Sequence, residues 1–232
     1  MAKAVVRRRD AGEATRQRVI VSAIATVVDI GYYKASSNEI ARRAGVTWGS
    51  IQHLFGSREQ LMLDVVNELG DRLEERLGRA VVSGATLEER LRGVLDVLAT
   101  HYEQDAYLVQ SQILLELSAN PKMQPRNRRD IRRKSGEEFD TLAHPLFAQA
   151  MGAIAAEPDL VLYAFMTLRG YLVSRATATL IAELPPDSVR RLMGTSVDDS
   201  VMRDLLVRGI AAVVREEAHR RGYVVDDVVA AP

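Results

Sequence analysis

The sequence predicts an all-α protein of about nine helices, in which three short helices precede a larger helical part. Apolar residues recur at three- and four-residue spacing along most of the chain, and we find no convincing period-two alternation and no Asn-Gly hairpin. Most predicted helix ends coincide with a glycine, a proline or a capping residue. With 47% hydrophobic residues among 232, the chain can bury a sizeable core.

The first predicted helix covers about residues 13–30 and ends at Gly31, a residue type that commonly terminates helices. Its apolar residues share one face, and they are Val19, Ile20, Ala23, Ile24, Val27 and Val28. We predict that residues 1–12, which include three consecutive arginines at 7–9, form a flexible basic arm before it. This arm lacks the apolar run that follows the basic residues of a secretory signal.

Each of the next three helices has its own start signal. Ser36 precedes a short helix over 37–44, and Glu39 stands three residues after Ser36, as in a capping box. Thr47 can cap a third helix that ends near Phe55. Ser57 can cap a fourth, long helix, which we expect to finish near residue 84.

The remaining chain is also predicted to be helical. The predicted helices cover residues 86–103, 106–119, 127–156, 159–184 and 201–221. Pro145 must kink or divide the third of these, because proline has no amide hydrogen to donate to the preceding turn. Residues 187–200 form a polar connection, and 223–232 form a C-terminal tail.

Charge is distributed unevenly, although the formal net charge is zero. Residues 1–60 hold ten Lys/Arg and five Asp/Glu, so 10 − 5 gives +5, and the remaining 21 basic and 26 acidic residues give −5. This asymmetry is typical of a protein that meets a polyanion at one end. The chain has no cysteine, and no apolar run approaches the roughly 20 residues of a membrane span, so we expect a cytoplasmic protein without membrane contact.

The second and third helices, joined at Gly45, indicate a helix-turn-helix. In the third, Ile51, Leu54 and Phe55 form an apolar stripe that should face the core. The residues predicted to face outward are Trp48, Gly49, Ser50, Gln52 and His53. A recognition helix needs such a set, because its exposed side chains must reach base edges in the major groove.

The predicted DNA contacts extend from the outward face to nearby helix N-termini. The candidates are Ser36, Ser37, Asn38, Thr47, Trp48, Gly49, Ser50, Gln52, His53, Ser57 and Arg58. Gln52 can form two hydrogen bonds with adenine, and the capped N-termini suit phosphate. The arginines at 7–9 either reach a minor groove or phosphates, or belong to a solubilising tail.

At these residues the sequence resembles the N-terminal domain of the TetR family of transcriptional regulators (TetR/AcrR-like). The resemblance covers about 50 residues, "TRQRVIVSAIATVVDIGYYKASSNEIARRAGVTWGSIQHLFGSREQLMLDVV". Its anchors are Thr15-Arg16, Ile20, Ala23, Gly31-Tyr32, Ile40-Ala41, Ala44-Gly45-Val46, Gly49, His53, Phe55, Ser57, Glu59 and Leu61. Gln52 stands where members usually carry a tyrosine, and Trp48 replaces a basic or small polar residue, so this helix should read a site of its own.

The resemblance implies a homodimer that binds a roughly palindromic operator in double-stranded DNA. It implies a helix-turn-helix domain over 13–60 and a ligand-binding and dimerisation domain over 61–222. Dimerisation would use helices at about 159–183 and 201–221. The implied function is a bacterial repressor, nucleoid-associated when bound to DNA, which a hydrophobic or amphipathic small molecule releases. No cofactor, metal site or catalytic residue is expected.

The effector pocket is predicted among core-phase residues of the larger domain that have a polar or aromatic end. The candidates are Tyr102, Tyr107, Gln110, Leu114, Phe139, Phe165, Met166 and Arg169. Plain core packing is an equal alternative for any of them. Arg169 either pairs with an acid such as Glu116, or meets an anionic ligand or the partner subunit, since an unpaired buried arginine is costly.

Other function classes fit the sequence less well. The four histidines stand on different segments, and no HExxH, GxSxG, P-loop or dinucleotide-binding pattern occurs, which disfavours an enzyme. A ligand-independent DNA-binding protein and an architectural helical protein stay open as alternatives. The second basic cluster, residues 126–134, is either a solvated face or a contact with flanking DNA.

Overall fold

The computed structural model describes residues 2–121, 123–129, 131, 144–182 and 198–224, with the backbone alone at 2–11 and 179–182. Within them, all regular structure is helical, which confirms the predicted class. The helices are α1 (Ala2–Lys34), α2 (Ser37–Ala44), α3 (Trp48–Phe55), α4 (Arg58–Gly78), α5 (Leu87–Tyr102), α6 (Asp105–Ala119), α7 (His144–Met151), α8 (Pro158–Ala182) and α9 (Asp199–Arg220). A 3-10 segment, Gly152–Ala156, follows α7, and residues 125–129 are helical as well.

The start of α1 differs from the prediction. The helix begins at Ala2 rather than near residue 13, so residues 2–12 continue it instead of preceding it as an arm. Alanine, valine and arginine do not break a helix, and an interior glycine such as Gly12 costs only about 1 kcal/mol. The predicted break at Gly31 is confirmed, since its φ of 78° and ψ of 161° are non-helical.

Two later helix boundaries were also wrong. The fourth helix ends at Gly78 instead of near residue 84. The predicted helix over 127–156 ends early, because α7 stops at Met151 and a 3-10 segment covers Gly152–Ala156. Pro145 is the second of the α7 residues that the structure describes. Thr86 caps α5 and forms a complete capping box with Glu89, which was not predicted from the sequence.

The chain divides into two compact units. The first comprises Met1–Leu73 and Gln104–Arg132, and the second comprises Glu74–Glu103 and Arg133–Pro232. This differs from a boundary at residue 60, because α6 belongs with the first unit. Val109, Ile113 and Leu117 of α6 are buried in the same cluster as residues of α1 to α4. Of the predicted C-terminal tail, residues 223–232, the structure describes the chain only to Val224.

In the first unit, α1 packs against both α2 and α6, and α2 packs against α3. The side chains that have no exposure at all come from every helix of the unit. They are Val19, Ile20, Ala23, Ala35, Ile40, Ile51, Leu61, Met62, Val65, Ile113 and Leu117. Burial of such side chains is worth about 1.5–3 kcal/mol each, so this core fixes the short helices that could not stand alone.

In the second unit, α5 is the central helix and packs against α7, α8 and α9. The core of the second unit includes Leu91, Leu95, Phe147, Leu168, Leu172, Val207 and Val214. Arg90 is buried at 3% exposure, and its Nε donates to the carbonyl oxygen of Ala150 at 2.7 Å. Its Nη1 donates to the carbonyl oxygens of Gly84 and Ala85, so the buried charge is solvated by backbone dipoles.

His101 at the end of α5 gives the fold a predicted pH dependence. Burial, and then the charges of Arg76 and Arg169, lower the pKa of His101 from its usual 6.5 to about 4. The unfolded chain therefore binds more protons than the folded chain between these values, so stability falls as the pH falls below 6.5. We expect a loss of about 2 kcal/mol from about pH 7 to about pH 5. Urea unfolding should show it in the wild type and not in His101→Leu; equal pH dependence of the two proteins would contradict it.

Candidate nucleic-acid interface

The turn between α2 and α3 has the tight geometry of a helix-turn-helix. Gly45 is left-handed, with φ 66° and ψ 34°, and its amide donates to the carbonyl oxygens of Ala41 and Arg42. Glycine adopts this conformation without the steric cost that other residues have. Thr47 follows in an extended conformation and caps α3 as predicted. The connection between the two short helices is therefore a tight turn.

The phase of α3 agrees with the prediction. Ile51 is fully buried and Phe55 is 5% exposed, while Leu54 is half-buried against the same core. The guanidinium of Arg16 lies 5.3 Å from the centre of the Phe55 ring. Trp48, Gly49, Gln52 and His53 are exposed, and Ser50 is half-buried. An eight-residue helix thus presents one apolar face to the core and one polar face to solvent.

Three predicted contact residues use their hydroxyl groups as helix caps. Thr47 Oγ1 accepts from the amide of Ser50 at 3.2 Å and shares a 2.9 Å hydrogen bond with Ser50 Oγ. Ser36 Oγ accepts from the amide of Glu39, and Ser57 Oγ accepts from the amide of Gln60. All three capping residues are exposed. They can still offer a lone pair or proton to DNA.

The predicted capping box at Ser36 is only half formed. The Glu39 carboxylate accepts from Arg42 at 2.8 and 2.6 Å and from Arg43 at 2.7 Å instead of binding the backbone. These arginine hydrogen bonds lower the pKa of Glu39 to about 2. Arg43 also donates to Asp29 at 2.6 Å. Two basic side chains of α2 are thereby held by local acids, which the sequence alone did not indicate.

The remaining candidates differ in their surroundings. Asn38 is exposed, whereas Ser37 is half-buried. A Cβ atom added to Gly49 would meet only Thr47 Oγ1, at 3.7 Å, so the backbone there is open to a close neighbour. Arg58 is half-buried and donates to the carbonyl oxygens of Tyr32 and Ala35. Its role inside the unit was missed, because the acceptors are backbone atoms far away in sequence.

The effector candidates belong to both units. Tyr107, Gln110 and Leu114 lie on α6 in the first unit, and all three are half-buried. The carbonyl oxygen Oε1 of Gln110 is buried, and no partner for it occurs in the part of the chain that the structure describes. Phe139 lies outside the described residues.

The other candidates lie in the second unit. Tyr102 is buried, and its hydroxyl group accepts a hydrogen bond from Nε of Arg169 at 3.1 Å. Phe165 is half-buried and packs edge-on against Phe147, at a centroid distance of 6.2 Å. Met166 is 52% exposed. Glu116, the suggested partner of Arg169, instead accepts from the hydroxyl of Tyr33 at 2.5 Å.

The two helices predicted to form the dimer interface expose apolar residues opposite their buried faces. Val161, Leu168 and Ile210 are buried within the unit. The exposed large apolar residues of α8 and α9 are Leu162, Tyr163, Met166, Val201, Met202, Leu205 and Val213. On α9, exposed apolar residues and exposed small residues together recur at four-residue spacing, so they form one stripe along this helix.

The described ranges hold neither a helix that could span a membrane nor a cluster that could bind a metal. No helix there is long and apolar enough to cross a membrane. Among the same residues, no group of three or more His, Asp or Glu side chains could hold a metal ion. In the second basic cluster, Arg126 and Arg129 are exposed, while Arg128 donates to the carbonyl oxygen of Asn120 at 3.0 Å.

Sequence relatives point to one family. The model of bacterial regulatory proteins of the tetR family matches residues 19–65, which run from α1 through α3 into α4. The regulator BetI of Rhizobium meliloti is 34% identical over 86 residues, which is 37% of this chain and 42% of that protein. BetI of Cronobacter sakazakii is 30% identical over 132 residues, which is 55% of this chain and 63% of that protein. The chain thus spans less than two thirds of these relatives.

Solved structures share the fold. A transcriptional regulator from Rhodococcus has a TM-score of 0.60 at 19% identity, covering 93% of this chain and 99% of that one. FadR of Bacillus subtilis, solved in complex with stearoyl-CoA, has a TM-score of 0.57 at 16% identity. The match covers 84% of this chain and 97% of FadR. The matched segment contains the glycine turn, the capped α3 and its buried face. The chain is therefore similar to bacterial regulatory proteins of the tetR family over residues 19–65, and its fold is similar to that of the solved regulators.

Proposed function

We propose that the chain is a one-component transcriptional regulator that binds a specific DNA sequence through α3. The observation that carries this proposal is the exposed face of α3. Trp48, Gln52 and His53 point to solvent on a helix whose other face is anchored by Ile51 and Phe55. An anchored helix with free polar side chains can enter the major groove and meet base edges without rearranging the core.

Phosphate contacts would orient this helix without adding sequence information. The first 60 residues carry the +5 excess, and the capping residues Ser36, Thr47 and Ser57 place three helix N-termini at exposed positions. Backbone amides at a helix N-terminus bind anions well. Ser37 and Asn38, in the first turn of α2, would take part in the same contact.

We propose further that the protein acts as a homodimer on a palindromic operator. The exposed apolar stripe on α8 and α9 supports this, because large apolar patches on single chains commonly mark association sites. Helices that pair through such a stripe would bury it in a symmetric interface, in which each chain offers the same surface. Two copies of α3 would then read two half-sites.

The effector in this proposal is a hydrophobic or amphipathic small molecule, and its binding releases a repressor from DNA, in the cytoplasm at the nucleoid. Half-buried Phe165 and the hydrogen-bonded pair of Tyr102 and Arg169 support a mixed apolar and polar site in the second unit. On α6, the unpartnered buried oxygen of Gln110 suits a ligand that donates a hydrogen bond. The complex of FadR with stearoyl-CoA is an example of an amphipathic ligand in this fold.

The proposal is tested by selecting duplexes from a random-sequence DNA library with the purified full chain. We expect enrichment of one palindromic sequence, bound at least about 10³-fold more tightly than unrelated DNA. The logarithm of the binding constant should fall with the logarithm of salt concentration by about 0.9 for each phosphate contacted. A chain that enriches no sequence above the starting library is not a sequence-specific regulator, and the proposal then fails.

A further inference from the structure

Arg58 lies at a junction of three helices in the first unit. It is the first residue of α4 and follows the short turn that ends α3 at Gly56. Its Nη2 donates to the carbonyl oxygen of Tyr32 at 2.7 Å, and its Nε donates to that of Ala35 at 3.3 Å. The guanidinium also lies 4.3 Å from the centre of the Tyr32 ring. Hydrogen bonds and a cation–π contact thus hold this side chain at once.

The two acceptors lie in residues 31–36, which are the end of α1 from Gly31 onward and the two residues before α2; we term this segment the elbow. It begins at the non-helical Gly31 and ends at Ser36, the cap of α2. Within the elbow, the Ala35 amide donates to the Gly31 carbonyl at 3.1 Å. The carbonyl groups of Tyr32 and Ala35 stand near a helix end, where backbone acceptors lack intrahelical partners. Arg58 supplies donors to both.

We propose that Arg58 is a positioning residue for DNA recognition, which ties the elbow to the start of α4, rather than a contact to phosphate. This inference rests on the proposed function of α3. The helix α3 is only eight residues long, and its orientation depends on its buried face and on the turns at its two ends. The elbow sets where α2 starts, α2 packs against α3, and the turn after α3 leads directly to Arg58.

The chemistry of the side chain distinguishes the two roles. A guanidinium is planar, so it can donate from two nitrogens to two carbonyls while its face lies on an aromatic ring. A lysine ammonium keeps the charge and can still bind a phosphate as a point charge. It cannot reproduce two directed hydrogen bonds and a stacked face together. Lysine should therefore restore a phosphate contact and fail to restore the positioning.

The test compares Arg58→Lys and Arg58→Gln with the wild type and with matched changes at Arg72. Arg72 is also on α4, but it is exposed, and its ion pair is with Glu68 one turn away. Each protein is titrated against the duplex selected by the wild type and against unrelated DNA over a range of salt. Circular dichroism sets a temperature at which every variant is folded.

We expect both Arg58 variants to lose at least about tenfold in affinity for the selected duplex, with unchanged affinity for unrelated DNA and an unchanged salt slope. The Arg72 variants should bind as the wild type does. In the free proteins, amide hydrogen exchange at residues 32–40 should be at least about threefold faster in Arg58→Lys than in Arg72→Lys, because local opening becomes easier.

Two results would overturn the positioning role. If Arg58→Lys binds like the wild type while Arg58→Gln loses about 0.9 of slope per half-site, Arg58 contacts phosphate. If the elbow exchanges equally in all proteins while the wild type binds its duplex, the proposed function stands and this inference fails. A wild type that selects no duplex overturns the proposed function itself, and the role in recognition with it.

Discussion

Gln52→Ala is expected to lower the affinity for the selected duplex by about 10- to 100-fold, since a good bidentate base contact is worth about 1–3 kcal/mol. The side chain is exposed on the outer face of α3, and its removal takes no atom from the core. Folding should therefore be unchanged. Binding titrations with duplexes mutated at single positions should show that specificity is relaxed at one base pair in each half-site.

Trp48→Ala is also expected to lower the affinity for the selected duplex. Its ring is 36% exposed in the first turn of α3, where an indole can lie against sugar and thymine methyl groups. Gln112→Ala is the control matched to Gln52→Ala, because Gln112 is an exposed glutamine on a different helix, α6, of the same unit. If Trp48→Ala or Gln52→Ala instead unfolds the protein, the side chain supports the core and the assignment of the outer face is wrong.

Leu205→Glu is expected to convert the proposed dimer to a monomer. Leu205 is 51% exposed in the middle of the apolar stripe on α9. A glutamate there would place two uncompensated charges in the symmetric interface, which costs several kcal/mol when they are desolvated. Affinity for the palindromic duplex should fall by about 10²- to 10⁴-fold, because two linked heads bind far better than one.

Sedimentation at micromolar concentration measures the first effect, and titration of full and half palindromes measures the second. Leu115→Glu is the control, since Leu115 is a leucine of 71% exposure on α6, outside the proposed interface. The control should stay dimeric. A dimeric Leu205→Glu protein would show that association uses another surface, whereas a monomeric wild type would remove the symmetric operator from the proposal.

Local signals predicted the helices of the candidate interface. The bounds of α2 and α3 follow from Ser36, Gly45, Thr47 and the glycine after Phe55, and each of these acts within one helical turn. The apolar phase of α3 was likewise visible, because three residues at helical spacing decide which side is buried. Where the determining residues lie within one helical turn of each other, residue types alone were sufficient to predict the structure.

Two features that the sequence did not show are contacts between residues that are distant in sequence. The membership of α6 in the first unit was missed because α6 is apolar on most sides, so its periodicity does not show which face meets the core. Arg58 was assigned to phosphate because a basic residue at a helix start suggests an anion site. Its acceptors, the carbonyl groups of Tyr32 and Ala35, belong to the elbow, 26 and 23 residues earlier in the chain, so the contact is visible only in three dimensions.

The open space above Gly49 has a consequence for the proposed function. An added Cβ meets nothing closer than the 3.7 Å to the Thr47 hydroxyl, so alanine or serine at this position leaves the fold untouched. Such a substitution would alter only the surface offered to the groove. Under the proposed function, one base change in the coding sequence would therefore alter the preferred duplex before any compensating change in the core.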